Sequence, residues 1–367
     1  MTGETFFIPG PTQVRPEILA VLSRAMIPHR GAEMHAILGR VYAGLQPLFG
    51  TRRAVYVATC AATGMMDAAI RCGTRHRVLS LVSGAFGERF ARIAEACGRE
   101  VERLVVPQGE TVPVERVAEA LVHGGFDAVT MVHVETSTGV IADVESIARI
   151  TRELPDTLLL VDAVSSMGGV AVEMDAWGVD LVLSASQKAM ALPPGLAFAA
   201  CSERLMERAR TLEDRGVYLD LVRYDEFWHK RETATTPAIS LIFALDAQLD
   251  AMAREGLPAR YERHARMAQA VWQWVEAMRE DGARVELLAP PGLRAPTVSC
   301  IRCENAPAVV RAAAERGYTL GSGYGDLAPT TFRIGHMGDH TVAGVEELLA
   351  VLDEGPLAAA GRSGVWA

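Results

Sequence analysis

The chain has 367 residues, which is too long for a single small module and suits one large α/β unit or a large domain with a smaller companion. Its formal net charge of −9 disfavours broad attraction to nucleic acid. The first residues, MTGETFFIPGPTQV, lack the segments of a secretory signal, and no run of about eighteen apolar residues predicts a membrane helix. We therefore expect a cytoplasmic protein that binds neither nucleic acid nor membranes.

Short apolar runs alternate with helical patterns through the first two hundred residues. The patterns predict strands at residues 55–59, 78–82, 101–106, 128–134, 158–161, 181–184 and 196–200. They predict intervening helices at 65–72, 86–97, 114–122 and 144–154. This alternation is typical of an α/β fold with a mostly parallel central sheet covered on both faces. Ligands in such sheets lie at the carboxyl ends of the strands, so residues just after each strand are the candidates for a site.

The pattern changes after about residue 200. A polar and aromatic stretch at 211–230 precedes long helical patterns at 239–254 and 261–279. Shorter strand and helix patterns follow at 285–288, 297–302, 306–316, 331–334 and 342–352. The glycine-rich run 321–325 follows a helix and predicts a flexible loop. We expect an N-terminal arm at 1–14, a large domain at 15–254, a smaller α/β C-terminal domain at 255–355 and a poorly ordered tail at 356–367.

The six cysteines are scattered through a chain large enough to fold without disulfides, so reduced thiols are expected. Cys300 and Cys303 form a lone C-x-x-C. A structural zinc site needs a second pair of ligands at comparable spacing, and the sequence has none. Both cysteines fall in a strand pattern on opposite faces, so no metal site is predicted.

Three predicted strands end in residues that suit a ligand site. Small residues at 60–64 precede a helix, whose N-terminus would expose backbone N–H groups to a phosphate. Neither a Walker A loop nor a G-x-G-x-x-G after a strand is present. Phe86 follows the second strand and could be core or a ring-stacking platform. Glu135 and Thr136 follow another, where a capped turn and a binding site are both consistent with the pattern.

Asp162 and Lys188 are the most informative residues at strand ends. Asp162 ends an apolar strand, where a buried carboxylate needs a donor or cation, either in the next turn or in a ligand. Only two of the 36 cationic residues are lysines, Lys188 and Lys230, and the other 34 are arginines. Lys188 has apolar neighbours just past a strand, and an amine can form a Schiff base whereas a guanidinium cannot. Lys230 lies in a polar run and is interpreted as a solvated charge.

Together these residues suit pyridoxal phosphate. The sequence resembles the class V aminotransferases of fold type I, most closely the alanine–glyoxylate and serine–pyruvate aminotransferase group. The most specific match is a pair of segments, SASQKAMALPPGLA and LLLVDAVSSMGG, which both fit the family pattern. Further matching segments are PGPTQVRPEIL, PHRGAEM, SGAFGERF, HVETSTGV, TTPAISL and FRIGHMG. The resemblance extends from Pro9 to Gly338, nearly the whole chain, and implies the fold type I architecture.

The resemblance also implies residue roles. Lys188 would form the Schiff base with pyridoxal phosphate and then move the substrate proton, while Asp162 would pair with the pyridinium nitrogen. Arg333 would hold the substrate α-carboxylate with two parallel hydrogen bonds. The remaining implied cofactor contacts are Phe86 on the ring, Thr136 at its polar edge, and Ala62, Thr63, Gln187 and the neighbouring subunit's Thr235 at the phosphate. A threonine supplied by a second subunit implies a homodimer with shared active sites.

The sequence departs from the family pattern at a few positions. Ala61 replaces a serine of the phosphate loop, so a hydroxyl is lost while the backbone donors remain. Asp67 replaces a glutamate in the following helix, a change expected to matter little. Glu232 takes the place of a tyrosine near the phosphate threonine, and an acid there would repel phosphate unless it points elsewhere.

The predicted function is transamination between a small amino acid, such as alanine or serine, and a 2-oxo acid such as glyoxylate or pyruvate. One alternative on the same fold is a cysteine desulfurase or another lyase. Desulfurases have histidine before the lysine, where this chain has Gln187, and they need a cysteine on a mobile loop. A non-catalytic scaffold is the other alternative. The segment His29-Arg30 and the loop 321–326 are expected to shape the pocket, and the sequence leaves the donor and acceptor open.

Overall fold

The fold is taken from a computed structural model that describes residues 4–354. In chain order its strands are β1 (Thr5–Phe7), β2 (Val55–Ala58), β3 (Arg77–Val82), β4 (Glu100–Val105), β5 (Ala128–Val132), β6 (Val134–Glu135), β7 (Val140–Ile141), β8 (Leu158–Asp162), β9 (Leu181–Ala185), β10 (Ala197–Cys201), β11 (Val285–Leu287), β12 (Ser299–Cys303), β13 (Tyr318–Ser322) and β14 (Thr331–Ile334). The tail expected at 356–367 lies outside the described residues.

Thirteen α-helices are found within residues 4–354. They are α1 (Pro16–Val21), α2 (Ala32–Phe49), α3 (Ala62–Gly73), α4 (Ala85–Ala96), α5 (Val114–Gly124), α6 (Val144–Arg152), α7 (Met174–Trp177), α8 (Glu203–Arg210), α9 (Leu221–Trp228), α10 (Ile239–Glu255), α11 (Leu257–Glu280), α12 (Ala306–Glu315) and α13 (Val342–Asp353). None of them is long and apolar enough to cross a membrane.

A seven-stranded sheet with the order β2-β10-β9-β8-β5-β3-β4 forms the larger part of the fold. All its strands run parallel except β10, which is antiparallel to both β2 and β9. Adjacent residues of one strand enter different cores, since Leu159 packs in one apolar cluster and Leu160 in another. The prediction of a mostly parallel sheet that is covered on both faces is confirmed.

Parallel pairing brings the functional strand ends together. Asp162 at the end of β8 is paired with Val132 of β5 on one side and with Leu183 of β9 on the other. Lys188 follows β9 by three residues. The carboxyl ends of these strands therefore form one edge of the sheet.

A second, five-stranded sheet has the order β1-β13-β14-β12-β11. Its pairs are antiparallel except that β1, from the start of the chain, runs parallel to β13. Apolar residues of α11, α12 and α13 pack in one cluster with Phe7 of β1 and Phe332 of β14. The domain boundaries expected from the sequence remain a prediction.

The glycine-rich run 321–325 is not the flexible loop that the sequence predicted. Gly321 and Ser322 belong to β13, and a short 3₁₀ turn spans Gly325–Leu327. A Cβ at Gly321 would lie 2.6 Å from Cδ of Pro9, and one at Gly323 would lie 2.3 Å from the carbonyl oxygen of Leu327. The glycines at 321 and 323 thus permit close packing against neighbouring chain segments.

The six cysteines are free thiols. Cys300 and Cys303 both lie on β12 and are buried, as expected for residues of a strand. Within residues 4–354, no three or more metal-binding side chains are grouped so that they could hold an ion.

Candidate active site

Lys188 is the centre of a buried polar cluster at the carboxyl edge of the large sheet. Its side chain is only 7% exposed. The amine donates hydrogen bonds to the carbonyl oxygen of Pro9 and, at 3.4 Å, to Oγ1 of Thr136. The same nitrogen lies 5.6 Å from the ring centroid of Phe86. The structure thus brings together three residues that the sequence had singled out at separate strand ends.

The surroundings of Lys188 change its acid–base behaviour. Burial lowers the pKa of the amine from 10.5 to about 7, and the nearby cation of Arg333 acts in the same direction. The negative charges of Asp162 and Glu135 oppose this shift without cancelling it. An amine with a pKa near neutrality can both accept and release a proton under ordinary conditions.

Asp162 has a hydrogen-bond donor in the turn that follows its buried strand. One carboxylate oxygen accepts a 2.8 Å hydrogen bond from the backbone N–H of Val164. Burial raises the pKa of this carboxyl from 3.8 to about 7, and the charge of Glu135 adds to the effect. The Val164 N–H and the charge of Lys188 act in the opposite direction. The turn hydrogen bond is therefore present, whereas the Lys188 cation acts on Asp162 through its charge without a salt bridge.

Phe86 is fixed by the way in which α4 begins. The Glu135 carboxylate accepts hydrogen bonds from the backbone N–H groups of Phe86 at 3.0 Å and Gly87 at 3.1 Å. Its other oxygen accepts from the Ser137 N–H at 3.0 Å. A Cβ at Gly84 would lie 2.6 Å from Cγ of Glu135, so only glycine permits this approach. Glu135 thus caps the helix that carries Phe86.

Thr136 connects the large sheet to Arg333 of β14. The Thr136 hydroxyl shares a hydrogen bond with Oγ of Ser165, and its carbonyl oxygen accepts from Nη1 of Arg333 at 3.2 Å. The Nε of Arg333 donates to the carbonyl oxygen of Ser322 at 2.9 Å. Among residues 4–354, no carboxylate lies within 4 Å of the Arg333 guanidinium. This cation is oriented by carbonyl groups and keeps its charge available for an anion.

The start of α3 is open to an anion. Within the described chain, no side chain caps this helix at Ala61, so the first backbone N–H groups, beginning at Ala62, have no side-chain acceptor. Thr63 in the same turn is exposed. The side-chain amide oxygen of Gln187 is buried without a partner among residues 4–354. The free N–H groups at the start of α3 fit a phosphate, whereas the free Gln187 oxygen is an acceptor and needs a donor.

Glu232 and Thr235 have described partners other than Lys188. Thr235 has no described contact with Lys188, and its carbonyl oxygen accepts from the Thr233 hydroxyl at 2.7 Å. The Glu232 carboxylate lies 3.6 Å from Nε of Arg30 and 3.4 Å from Nε2 of His35. Glu232 therefore faces Arg30 and His35 near the start of α2.

Several residues that form the site were not singled out by the sequence patterns. Pro9 holds the Lys188 amine, Ser165 holds the Thr136 hydroxyl, and Arg89 lies against the Phe86 ring. Tyr324, in contrast, lies in the loop 321–326 that was expected to shape the pocket. Pro9 and Ser165 lie in segments that carried the family resemblance, and this was the only signal that could have identified them.

Together, the doubly covered sheet and the buried lysine and carboxyl group at its carboxyl edge define a fold type I transferase. Residues 54–303 match the family model described as aminotransferase class-V. The chain belongs to the class V aminotransferase family, and it is an aminotransferase.

Relatives of similar length support this assignment. An uncharacterised aminotransferase of Methanocaldococcus jannaschii is 36% identical, over 94% of this chain and 90% of the relative. A protein of a Synechococcus species named soluble hydrogenase, small subunit, is 35% identical, over 95% and 92%. The L-aspartate–glyoxylate aminotransferase of Paracoccus denitrificans is 32% identical, over 94% and 89%.

Solved structures show the same fold. The alanine–glyoxylate aminotransferase of a Nostoc species has a TM-score of 0.90 and 29% identity, over 96% of this chain and 95% of that one. A cysteine desulfurase of Thermococcus onnurineus is more distant, with a TM-score of 0.76 and 15% identity over 97% and 95%. The desulfurase likeness shows the fold alone. In this chain, both Cys300 and Cys303 are buried in β12 and neither lies on a loop.

Proposed function

We propose that this aminotransferase uses pyridoxal phosphate at Lys188 to transfer an amino group from a small amino acid, such as alanine or serine, to glyoxylate or pyruvate. The observation that carries the proposal is the buried Lys188 amine, whose pKa is lowered to about 7 beside Phe86 and Asp162. Glyoxylate as acceptor is supported by the names of the Paracoccus and Nostoc proteins. The Paracoccus name also makes aspartate a donor to test.

The residues present fit this cofactor. When bound, pyridoxal phosphate supplies an aldehyde that reacts with amines and a ring that accepts the electron pair left when a proton leaves the substrate α-carbon. Its phosphate suits the uncapped start of α3 at Ala62 and Thr63, and the side-chain NH2 of Gln187 would donate to it. Phe86 would stack on the ring, and Thr136 would contact its polar edge.

Lys188 and Asp162 have complementary roles in the proposal. The Lys188 amine, with its lowered pKa, would take the proton from the substrate α-carbon and return it elsewhere. The Asp162 carboxyl is held in place by the Val164 N–H and would keep a ring nitrogen protonated. Its raised pKa in the protein alone reflects burial without a cation in contact, and a bound cation would lower the pKa.

Arg333 would bind the substrate α-carboxylate. Its guanidinium is already oriented by the carbonyl groups of Thr136 and Ser322. Because no carboxylate of residues 4–354 lies within 4 Å of it, a substrate carboxylate would not have to displace one. A planar guanidinium can form two parallel hydrogen bonds to this group.

We also propose that two copies of the chain form a homodimer with shared active sites. Thr235 would complete the phosphate site of the neighbouring subunit. The match of TTPAISL to the family segment that carries this threonine supports the role. Glu232, whose carboxylate lies beside Arg30 and His35, would then be turned away from the phosphate.

Absorbance spectra and a substrate screen test the proposal. Purified protein supplied with pyridoxal phosphate should show a near-visible absorbance band that borohydride abolishes, with the label found on Lys188 after digestion. A matrix of amino acids against 2-oxo acids should then show turnover with glyoxylate or pyruvate. Labelling of Lys230 instead, or no turnover with any pair, would refute the assignment.

A further inference from the structure

Arg89 forms part of the wall of the active site. It lies on α4, one turn after Phe86, and its Cζ is 4.7 Å from the centroid of the Phe86 ring. Its Nη2 donates a 3.0 Å hydrogen bond to the hydroxyl of Tyr324. The charge of Arg89 lowers the pKa of both Lys188 and Asp162, which places it electrostatically within the site.

No protein carboxylate neutralises Arg89. Among residues 4–354, none lies within 4 Å of its guanidinium. The preceding residue, Glu88, pairs instead with Arg92 at 2.9 Å and with Arg103 at 3.0 Å. A partly exposed guanidinium without a carboxylate partner is available to an anionic ligand.

Tyr324 lies near both Arg89 and Arg333, the two cations of the site for which no carboxylate partner is described among residues 4–354. Its hydroxyl accepts from Arg89, and its ring centroid lies 5.7 Å from Cζ of Arg333. The Tyr324 ring also lies against that of Phe86, with centroids 5.7 Å apart. One guanidinium therefore contacts the Tyr324 hydroxyl and the other lies near its ring, and the charges of both lower the pKa of Lys188.

We propose that Arg89 is a second carboxylate-binding site, and that the preferred amino donor is an amino dicarboxylate of the aspartate type. This inference rests on the proposed function and on Arg333 as the α-carboxylate site. Alanine or serine brings one carboxylate and would leave one of the two cations unneutralised, whereas an amino dicarboxylate brings one for each.

The cofactor phosphate is a poorer candidate for the anion at Arg89. The phosphate is expected at the start of α3 and at Gln187, and no described contact joins Arg89 to Ala62, Thr63 or Gln187. Arg89 instead contacts Tyr324, which lies beside Arg333. Arg89 is thus on the side of the site where the substrate carboxylate binds.

Binding of non-reacting acids gives a test that does not depend on turnover. Calorimetric titration of the holoenzyme should show succinate, a dicarboxylate, binding more tightly than propionate. Arg89→Leu should weaken succinate binding about 10- to 100-fold, the size expected for loss of a charged hydrogen-bonded pair. The matched control is Arg92→Leu on the same helix, because Arg92 is 74% exposed and pairs with Glu88. This control should leave succinate binding unchanged.

Kinetics with two donors complete the test. The ratio of kcat/KM for aspartate to kcat/KM for alanine should fall about 10- to 100-fold in Arg89→Leu and stay constant in Arg92→Leu. Succinate binding no tighter than propionate, in an enzyme that transaminates alanine, would overturn the second site and leave the proposed function standing. An equal loss of succinate affinity in both variants would also overturn it. Absence of turnover with every donor would instead refute the proposed function.

Discussion

Nη2 of Arg260 donates a 2.7 Å hydrogen bond to the carbonyl oxygen of Ala189, the residue that follows Lys188. The guanidinium also donates to the Gly168 carbonyl at 2.9 Å and to Oδ1 of Asp339 at 3.0 Å. Arg260 is 1% exposed and lies at the start of α11. A single buried cation thus links a carboxylate beyond β14 to the main chain beside the candidate catalytic lysine.

Arg260→Met is expected to destabilise the protein by about 2–5 kcal/mol, because the buried Gly168 and Ala189 carbonyl groups lose their side-chain donor. The Asp339 carboxylate loses one of its partners and keeps Arg15 and Gln248. Urea-induced unfolding measures the loss. The control is Arg254→Met, since Arg254 forms an exposed pair with Asp250 and should contribute less than about 1 kcal/mol. Similar losses in both variants would mean that the Arg260 network contributes no more than a surface pair.

Lys188→Arg should abolish transamination although it preserves the positive charge, because a guanidinium neither forms a Schiff base nor gives up its proton. A loss of at least about 10⁴-fold in kcat is expected from removal of the covalent step. Lys230→Arg replaces an exposed lysine and should leave kcat within about two-fold. Substantial activity in Lys188→Arg would exclude Lys188 as the cofactor lysine.

Arg333→Ala should raise KM for amino donors about 10- to 100-fold, because the α-carboxylate loses its charged partner. Initial rates at increasing donor concentration give the value. Arg302 is exposed in the neighbouring strand and pairs with Glu286, so Arg302→Ala is the matched control. An unchanged KM in Arg333→Ala would assign the carboxylate to another cation.

The pKa of Lys188 predicts how cofactor capture depends on pH. Only the neutral amine attacks an aldehyde, and a pKa lowered to about 7 makes this form dominant above that pH. Capture of pyridoxal phosphate by the cofactor-free protein should therefore speed up as the pH rises through about 7 and level off above it. Stopped-flow absorbance follows the rate.

Arg333→Ala tests the direction in which a neighbouring charge moves the midpoint of this pH profile. The cation of Arg333 lowers the Lys188 pKa, so its removal should move the midpoint to higher pH. Arg302→Ala should leave the midpoint in place. A midpoint near 10 in the unaltered protein would show that burial does not depress the pKa of this amine.

Glu135→Ala should weaken both the fold and the retention of the cofactor. The substitution removes the acceptor for the Phe86, Gly87 and Ser137 N–H groups, at a cost of about 2–4 kcal/mol. Thermal unfolding and equilibrium dialysis of pyridoxal phosphate measure the two effects. Glu145→Ala on the exposed face of α6 is the control. Cofactor retention equal to that of the control would show that Phe86 does not depend on this cap.

The parallel sheet could be predicted from sequence because its strands are buried on both faces and appear as continuous apolar runs. The predicted strand at 331–334 agrees with β14 at both ends. Asp162 and Lys188 stood out because a carboxylate after LLLV and a lysine in an arginine-rich chain are both unusual.

Local sequence patterns did not predict several helices and strands or the long-range contacts of the site. The polar and aromatic stretch at 211–230 contains α9, which begins with a cap from Asp220 to the N–H of Val222. The α2 helix and the short β1 were also missed. Arg89 contacts Tyr324, and Pro9 contacts Lys188, although the residues of each pair are far apart in sequence. The spacing of apolar residues along the chain does not predict such contacts.

The pairing of β1 with β13 also bears on the order in which the site can form. Thr5 of β1 pairs with Tyr318, more than 300 positions later, and the Pro9 carbonyl that holds the Lys188 amine follows β1 directly. During synthesis from the N-terminus, β1 emerges first, and its partner strand emerges near the end. The β1 anchor of the Pro9 segment can therefore form only late, after nearly the whole chain has been made. In a shortened chain lacking β13, Thr12, through its bonds to the Gln187 and Lys188 carbonyl groups, would remain to hold this segment over the amine.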